Sequence, residues 1–364
     1  MTVLAGSRVV TPMGVLSPGL VEMDGGRVTS VVPTTGLVPD RILAPGLIDL
    51  QVNGIDDVDV ATADAAGWER LDHLLAAQGT TTWLPTLVTA PLGAYPDRIE
   101  AIATAAGRPG ARPHIAGVHL EGPFLGSRPG AHPPQLVRPP DAEWIAGLPA
   151  IVKLVTLGAE GPGALDGIRA VVARRGLAAV GHSDATLVQA TAAIDAGARL
   201  ATHGFNAMSG LHHREPGLVG AFLTDDRVAV SLVADGIHVH PAALDVAFRC
   251  KPDGRIALVT DAVAWRTGRA DEIGLVHDGS APRLADGTIA GSSLTMDAAV
   301  AFVVGRVGVS LERAVRAASA TPAALLGLHD RGALASGRRA DVVALDPHTL
   351  RCTETWIGGT QVQG

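Results

Sequence analysis

Gly117–His132 reads GVHLEGPFLGSRPGAH. An apolar run ends on a carboxylate, Glu121, and is followed at once by a Gly-Pro turn and an irregular loop that carries His132. In an α/β enzyme, a strand that stops in this way holds its last side chain on a rigid edge facing an open mouth. A metal ligand or an acid/base group is expected there. Alone the segment is suggestive, and its weight depends on whether the pattern recurs.

It does recur. Apolar, β-branched runs fall at Leu47–Asn53, Thr80–Val88, Ile115–Leu120, Val152–Leu157, Leu177–Gly181, Leu200–Thr202, Val228–Ala234 and Arg255–Thr260. Ala-rich stretches with helical periodicity separate most of them, as at Ala63–Gln78, Ala94–Ala106, Gly163–Arg175 and Ala185–Ala196. The starts are spaced from 23 residues (177 to 200) to 37 residues (115 to 152), the length of a βα unit. Eight such units predict an α/β fold of the (β/α)8 TIM-barrel type, with its active site at the C-terminal ends of the strands.

The two ends of the chain read differently. Ser7–Thr11, Gly19–Met23 and Arg27–Val32 are short alternating runs parted by Pro-Met-Gly, Asp-Gly-Gly and Pro-Thr-Thr-Gly, and Gly332–Gly364 has the same texture. This pattern predicts a small β-sandwich built from both termini, residues 1–43 and 330–364, around a catalytic barrel at 44–329.

Composition limits the function. With 364 residues the chain can bury a large core, and 47% apolar residues, 44 glycines and 3% aromatics exclude disordered and fibrous classes. A net charge of −7, without long runs of either sign, gives no surface for tracking phosphates, so nucleic acid is not an expected partner. No apolar run approaches the roughly 18 residues that span a bilayer, and the first residues lack a basic segment followed by an apolar one. Cys250 and Cys352 have no metal or redox spacing and fit a reducing compartment. The expectation is a cytoplasmic protein with no membrane partner.

At the strand ends stand Gln51 and Asn53, Glu121, His182, His203, the segment Asp235–His238, and Asp261. A barrel would bring them together from positions more than two hundred residues apart. Two neutral imidazoles, His182 and His203, with the Glu121 carboxylate suit a divalent ion and leave a position open for water, whose pKa such an ion lowers from about 16 to about 7. Asp261 is then placed to take the proton of that water. Each residue also has a plainer use: Glu121 could pair with an arginine and Asp261 could cap a helix. Ser183 and Asp184 are expected to cap the next helix. His73, His114, His277, His329 and His348 are read as surface residues, and Lys153, near the start of strand four, as structural.

These motifs resemble N-acetylglucosamine-6-phosphate deacetylases of the amidohydrolase superfamily: LAPGLIDLQVNG at 43–54, GVHLEGPF at 117–124, VGHSDAT at 180–186, THGFNAMSGLHHREPGL at 202–218, ADGIHV at 234–239, LVTDA at 258–262 and IAGSSLTM at 289–296. The resemblance runs through the whole barrel in order. It implies metal ligation by Glu121, His182 and His203, with Asp261 as the catalytic aspartate. Ala131 and His132 then match a substrate-contacting pair, the histidine polarising the scissile carbonyl. Asn206, Ala207 and Arg214 match positions that hold the sugar phosphate, Arg214 from across a homodimer interface. Asp235, Gly236, Ile237 and His238 match a further substrate-contacting segment, and Ile289, Ala290 and Gly291 a backbone wall beside the acetamide. The implied cofactor is one divalent ion per subunit, zinc first, with iron, cobalt or manganese admitted by the same donors.

Two departures stand out. Many amidohydrolases have His-x-His at the end of strand one to hold a second metal. Gln51 and Asn53 stand there instead, and amides are poor ligands, so a single ion is expected, with both amides hydrogen-bonding near it. The loop after Asp261 reads AVAWRTGRADEIG, so Trp265, Arg266 and Arg269 either reshape the sugar pocket or lie on the surface. The alternative substrate is accordingly N-acetylgalactosamine 6-phosphate or another acylated amine, and a non-enzymatic barrel protein is the more distant reading.

Overall fold

The computed structural model describes residues 1–270, 273–277 and 279–364. Eight parallel strands form the barrel: β1 (Leu47–Val52), β2 (Thr80–Leu87), β3 (Val118–Glu121), β4 (Val152–Leu157), β5 (Leu177–Val180), β6 (Leu200–Ala201), β7 (Ala229–Val233) and β8 (Ile256–Val259). They pair in chain order from β1 through β8. The seam between β8 and β1 is joined just past the strand ends, where Val52 bridges Ala262. There Asp261 N–H donates to Gln51 O at 3.0 Å and Asn53 N–H to Ala262 O at 2.8 Å.

All of these strands except at Lys153 in β4 and Leu177 in β5 are covered on both faces, which is why they read as near-continuous apolar runs. Ile48, Leu50, Leu84, Leu154, Ala179, Leu200, Ala229 and Ala257 form one cluster that draws on seven of the strands and fills the barrel interior. The predicted third run starts too early. His114–Ile115 is a separate two-residue strand on β2, and β3 begins at Val118. His114 is accordingly half-buried, and burial lowers its pKa to about 4, so it is not the surface residue expected.

Helices on the outside are α1 (Ala65–Ala77), α2 (Tyr95–Ala106), α3 (Ala142–Ala146), α4 (Ala164–Ala173), α5 (Leu187–Asp195), α6 (Gly217–Thr224), α7 (Pro241–Cys250), α8 (Met296–Phe302), α9 (Leu311–Ala317) and α10 (Ala320–Leu325). In α4, Ala164, Gly167, Ile168 and Val171 are the buried positions, an i, i+3, i+4, i+7 stripe, and the Ile and Val each contribute about 1.5 to 3 kcal/mol. The start of α5 corrects one expectation. Its N-cap is Thr186, in a capping box with Gln189, while Ser183 and Asp184 bond elsewhere. Lys153 is exposed on the outer side, and its stem packs over Gly117.

The termini form the two facing sheets of a β-sandwich. Thr2–Gly6, Gly19–Asp24 and Arg27–Pro33 make a three-stranded sheet. Arg8–Thr11, Gly14–Leu16, Ile42–Pro45, Val342–Leu345, Cys352–Ile357 and Thr360–Gln363 make a six-stranded one. Burial alternates along Gly19–Asp24, which turns Val21 and Met23 onto Val9, Leu43, Val342 and Trp356. Among the described residues, no helix is long and apolar enough to cross a membrane.

Candidate metal centre and active site

Glu121 is the last residue of β3, and its carboxylate lies inside the barrel mouth, 2% exposed. His182, His203 and Asp261 each follow a strand and each has a positive φ, 50°, 35° and 51°. That left-handed conformation costs a non-glycine residue energy and is sustained where the surroundings enforce it. Here it accompanies the convergence of all three side chains on Glu121.

The donor atoms are close. Glu121 Oε1 lies 3.2 Å from His182 Nε2 and 2.9 Å from His203 Nε2, and the two nitrogens are 3.0 Å apart. Donors each about 2.1 Å from one ion stand about 3.0 Å apart at a right angle and about 3.4 Å apart at the tetrahedral angle. Three lone-pair donors this close repel one another unless a positive charge lies among them. The electrostatics agree. Burial works against a proton on His203, but the hydrogen bond and charge of Glu121 and the charge of Asp261 more than offset it and raise the pKa. Burial likewise raises that of Glu121, and His182 and His203 reverse this and hold the carboxyl well below its usual range. The residues present therefore fit a divalent cation.

Glu121, His132 and His182 also have donor atoms within 4.8 Å of one another. Hydrogen bonding decides between the two groupings. His182 Nδ1–H donates to the carbonyl of Arg128 at 3.2 Å, which leaves Nε2 with its lone pair turned to Glu121. His132 is the reverse. Its Nδ1 accepts from Thr89 N–H at 3.3 Å and lies 2.9 Å from Thr89 Oγ1, so the ring proton sits on Nε2, 3.8 Å from Glu121 Oε2. Burial lowers its pKa to about 3, which keeps the ring neutral. His182 thus turns a lone pair toward Glu121, as a metal ligand would, and His132 turns an N–H.

Gln51 and Asn53 bind the carboxylates. Gln51 Nε2 donates to Glu121 Oε1 at 2.9 Å and to Asp261 Oδ1 at 3.0 Å, and Asn53 Nδ2 donates to Asp261 Oδ1 at 2.8 Å. Burial and the charge of Glu121 raise the Asp261 pKa to about 6. Glu121 pairs with no arginine and Asp261 caps no helix, so neither plainer use holds among the described residues.

These groups open into a cavity of about 300 Å³, which Ala131, His132, Asn206, Ala207, His238, Ile289, Ala290 and Gly291 also line. His238 is oriented by Asp235, whose Oδ2 accepts from Nδ1–H at 2.7 Å. Asp235 itself, Gly236, Ile237 and Arg214 do not line the cavity. Gly236 has a φ of 77°, and a Cβ there would meet Phe302 at 2.7 Å, so only glycine fits that turn. Arg214 is exposed and belongs to a separate groove. In the loop after Asp261, Arg266 is tied to Asp56 and stacks 5.0 Å over Trp265, and neither these two nor Arg269 reaches the cavity. Val263, Ile273 and Leu275 from that loop do. Asp271 and Glu272 lie outside the described residues.

His119 was not anticipated. It lies two residues before Glu121 on the same face of β3, fully buried, and burial lowers its pKa to about 4. Its Nδ1 meets Thr86 Oγ1 at 3.2 Å and its Nε2 meets Thr156 Oγ1 at 2.8 Å, and Thr156 meets Thr202 Oγ1 at 2.8 Å. This polar chain joins β2, β3 and β4 to the residue after β6, next to the candidate ligands. The period-two alternation of VHLE was the available signal.

An eight-stranded barrel whose C-terminal mouth gathers two imidazoles, a carboxylate and a further aspartate is the architecture of a metal-dependent hydrolase. The Amidohydrolase family profile matches residues 42–362. An N-acetylgalactosamine-6-phosphate deacetylase of Escherichia coli O157:H7 is 39% identical over 98% of each chain. The human N-acetylglucosamine-6-phosphate deacetylase is 39% identical over 88% of this chain and 83% of its own length. A mutant N-acetyl-D-glucosamine-6-phosphate deacetylase from Mycobacterium smegmatis, solved in complex with N-acetyl-D-glucosamine-6-phosphate, superposes with a TM-score of 0.93 at 35% identity, covering 100% of this chain and 99% of that one. The chain belongs to the amidohydrolase family.

Proposed function

We propose that this protein hydrolyses the acetamide of N-acetyl-D-glucosamine 6-phosphate to D-glucosamine 6-phosphate and acetate. The observation that carries the reading is the convergence of Glu121, His182 and His203 to within 3.2 Å of one another, with Asp261 linked to Glu121 through Gln51. Those three side chains would hold one divalent ion, zinc first and iron, cobalt or manganese next. Such an ion, when bound, supplies Lewis acidity that makes water a usable nucleophile near neutral pH.

The rest of the chemistry belongs to the chain. Asp261, held by Gln51 and Asn53, takes a proton from the attacking water as its oxygen bonds to the carbonyl carbon, then returns it to the departing nitrogen as the C–N bond breaks. His132 donates Nε2–H to the carbonyl oxygen as negative charge gathers there, a contribution worth about 3 to 4 kcal/mol per donor in other enzymes. Asn206, Ala207, His238 and the wall at Ile289–Gly291 position the sugar.

Arg214 is proposed to bind the phosphate of a second subunit's substrate. It is exposed and outside the lining of its own cavity, in a groove with Leu187, Val188 and Leu211, which are 37%, 78% and 60% exposed. That apolar surface supports a homodimer. Cys250 and Cys352 form no disulfide, which supports a cytoplasmic setting.

A second substrate is favoured by the N-acetylgalactosamine-6-phosphate deacetylase that matches 98% of each chain. Acetate release measured on both 6-phosphates and on both free N-acetylhexosamines, with metal content determined, separates the cases. The proposal requires the glucosamine derivative to have the highest kcat/KM and the free sugars far lower values. A preference for the galactosamine epimer would transfer the assignment, and hydrolysis of none of the four would remove it.

A further inference from the structure

The loop that carries His132 and the segment that carries His182 are held together by the Glu160 carboxylate, just beyond β4, and by Arg128 Nε–H, which donates to Asp184 Oδ1 at 2.7 Å. Glu160 Oε1 accepts from Ser127 N–H at 2.8 Å, from Ser127 Oγ–H at 3.0 Å and from Asp184 N–H at 2.9 Å, while Oε2 accepts from Ser183 Oγ–H. Ser127 lies in the loop leading to His132, and Ser183 directly follows His182.

The approach is close enough to dictate sequence. A Cβ on Gly158 would stand 2.3 Å from Gly126 N, so the turn after β4 nests against the loop at Gly126 only with glycine at 158, and a Cβ on Gly126 would stand 2.2 Å from Glu160 Oε1 and displace that carboxylate. The same contact region fixes the His182 tautomer. Gly126 N–H donates to His182 O at 2.9 Å, and the Arg128 carbonyl, two residues on, accepts the His182 Nδ1 proton. Burial raises the pKa of Glu160, but the Ser183 hydroxyl and the two backbone N–H groups bring it below its usual value, so the clamp is ionised near neutral pH.

We propose that Glu160 is a positioning residue for the metal centre: by tying Ser127 to Ser183 and Asp184 it presents Arg128 O to His182 and sets both metal affinity and the placement of His132. This rests on the deacetylase reading above. Partners that orient a metal-binding histidine typically change metal affinity by 10- to 100-fold when removed.

The test is competition of zinc between the protein and a chromophoric chelator, with melting temperature and kcat at saturating zinc measured in parallel. Glu160→Ala is expected to weaken zinc binding by about 10- to 100-fold and lower kcat by about tenfold or more. Glu160→Asp keeps the charge but is too short to span both segments, so it should show the same directions even if the alanine variant does not fold. Glu160→Gln should restore near wild-type values, its oxygen accepting from Ser127 and Asp184 and its amide donating to Ser183. Zinc affinity and kcat within twofold of wild type in Glu160→Asp, or a lower melting temperature alone, would overturn the proposal. Wild-type protein that takes up none of zinc, iron, cobalt or manganese would overturn the deacetylase reading along with it.

Discussion

His132 and His182 stand edge to face, ring centroids 4.5 Å apart at 77°, and turn opposite chemistry toward the same carboxylate. His182 spends its proton on Arg128 O and offers a lone pair, while His132 spends its lone pair on Thr89 and offers a proton. His182→Asn should therefore lose zinc. His132→Asn should keep it and lose about 100-fold or more in kcat. Metal analysis after dialysis, paired with kinetics, reads both. Loss of metal from the His132 variant would reverse the two roles.

Asp261 carries a different test. Gln51 and Asn53 both donate to Oδ1, and the oxygen of an asparagine accepts the same two bonds. Asp261→Asn is expected to retain fold and metal while turnover drops about 100- to 10,000-fold. Near-normal turnover in metal-loaded protein would take Asp261 out of the mechanism.

If Arg214 acts in the neighbouring subunit, Arg214→Ala and Asp261→Asn proteins should complement each other. A mixed dimer contains one cavity with an intact Asp261 and an intact Arg214 supplied from across the interface. Mixing and re-equilibrating the two inactive variants should restore part of the wild-type rate on the phosphorylated substrate. A mixture no faster than its components would place Arg214 in a role within its own subunit.

Asp49 governs a pH effect on stability. It is buried beside the β8–β1 seam, where it accepts from Thr260 Oγ–H at 2.6 Å and Gln51 N–H at 3.1 Å, and burial raises its pKa to about 7 despite those bonds. A carboxyl whose folded pKa is raised binds more protons folded than unfolded. Its contribution is complete below about pH 4 and is lost as pH rises through about 7. Asp49→Asn has no proton to lose. Its melting temperature relative to wild type should rise from pH 4 to pH 7, and a difference that is flat across that range would mean the Asp49 pKa is not raised.

The sequence made the barrel legible because the strands are covered on both faces almost throughout and read as apolar runs; the run at Val152–Leu157 matches its strand to the residue despite the exposed Lys153. It made the candidate ligands legible because chemistry-bearing side chains end those runs or follow them directly. His119 stayed hidden because it lies within a strand, where only its alternation with Glu121 marks an interior position. Glu160 stayed hidden because its meaning depends on two segments, around residues 127 and 183, that only the folded chain brings together. The loop after Asp261 was ambiguous for a related reason. Trp265 and Arg266 are its conspicuous residues, yet they pair with each other and with Asp56, while the unremarkable Val263, Ile273 and Leu275 face the cavity.

Glu121, His182 and His203 are proposed to hold one ion. Anomalous diffraction from zinc-loaded crystals, recorded on either side of the zinc edge, tests it most directly. One peak per subunit at about 2.0 to 2.2 Å from Glu121, His182 Nε2 and His203 Nε2 is the predicted result. A peak bound by His132 in place of His203, or no ordered peak among these residues, would contradict it.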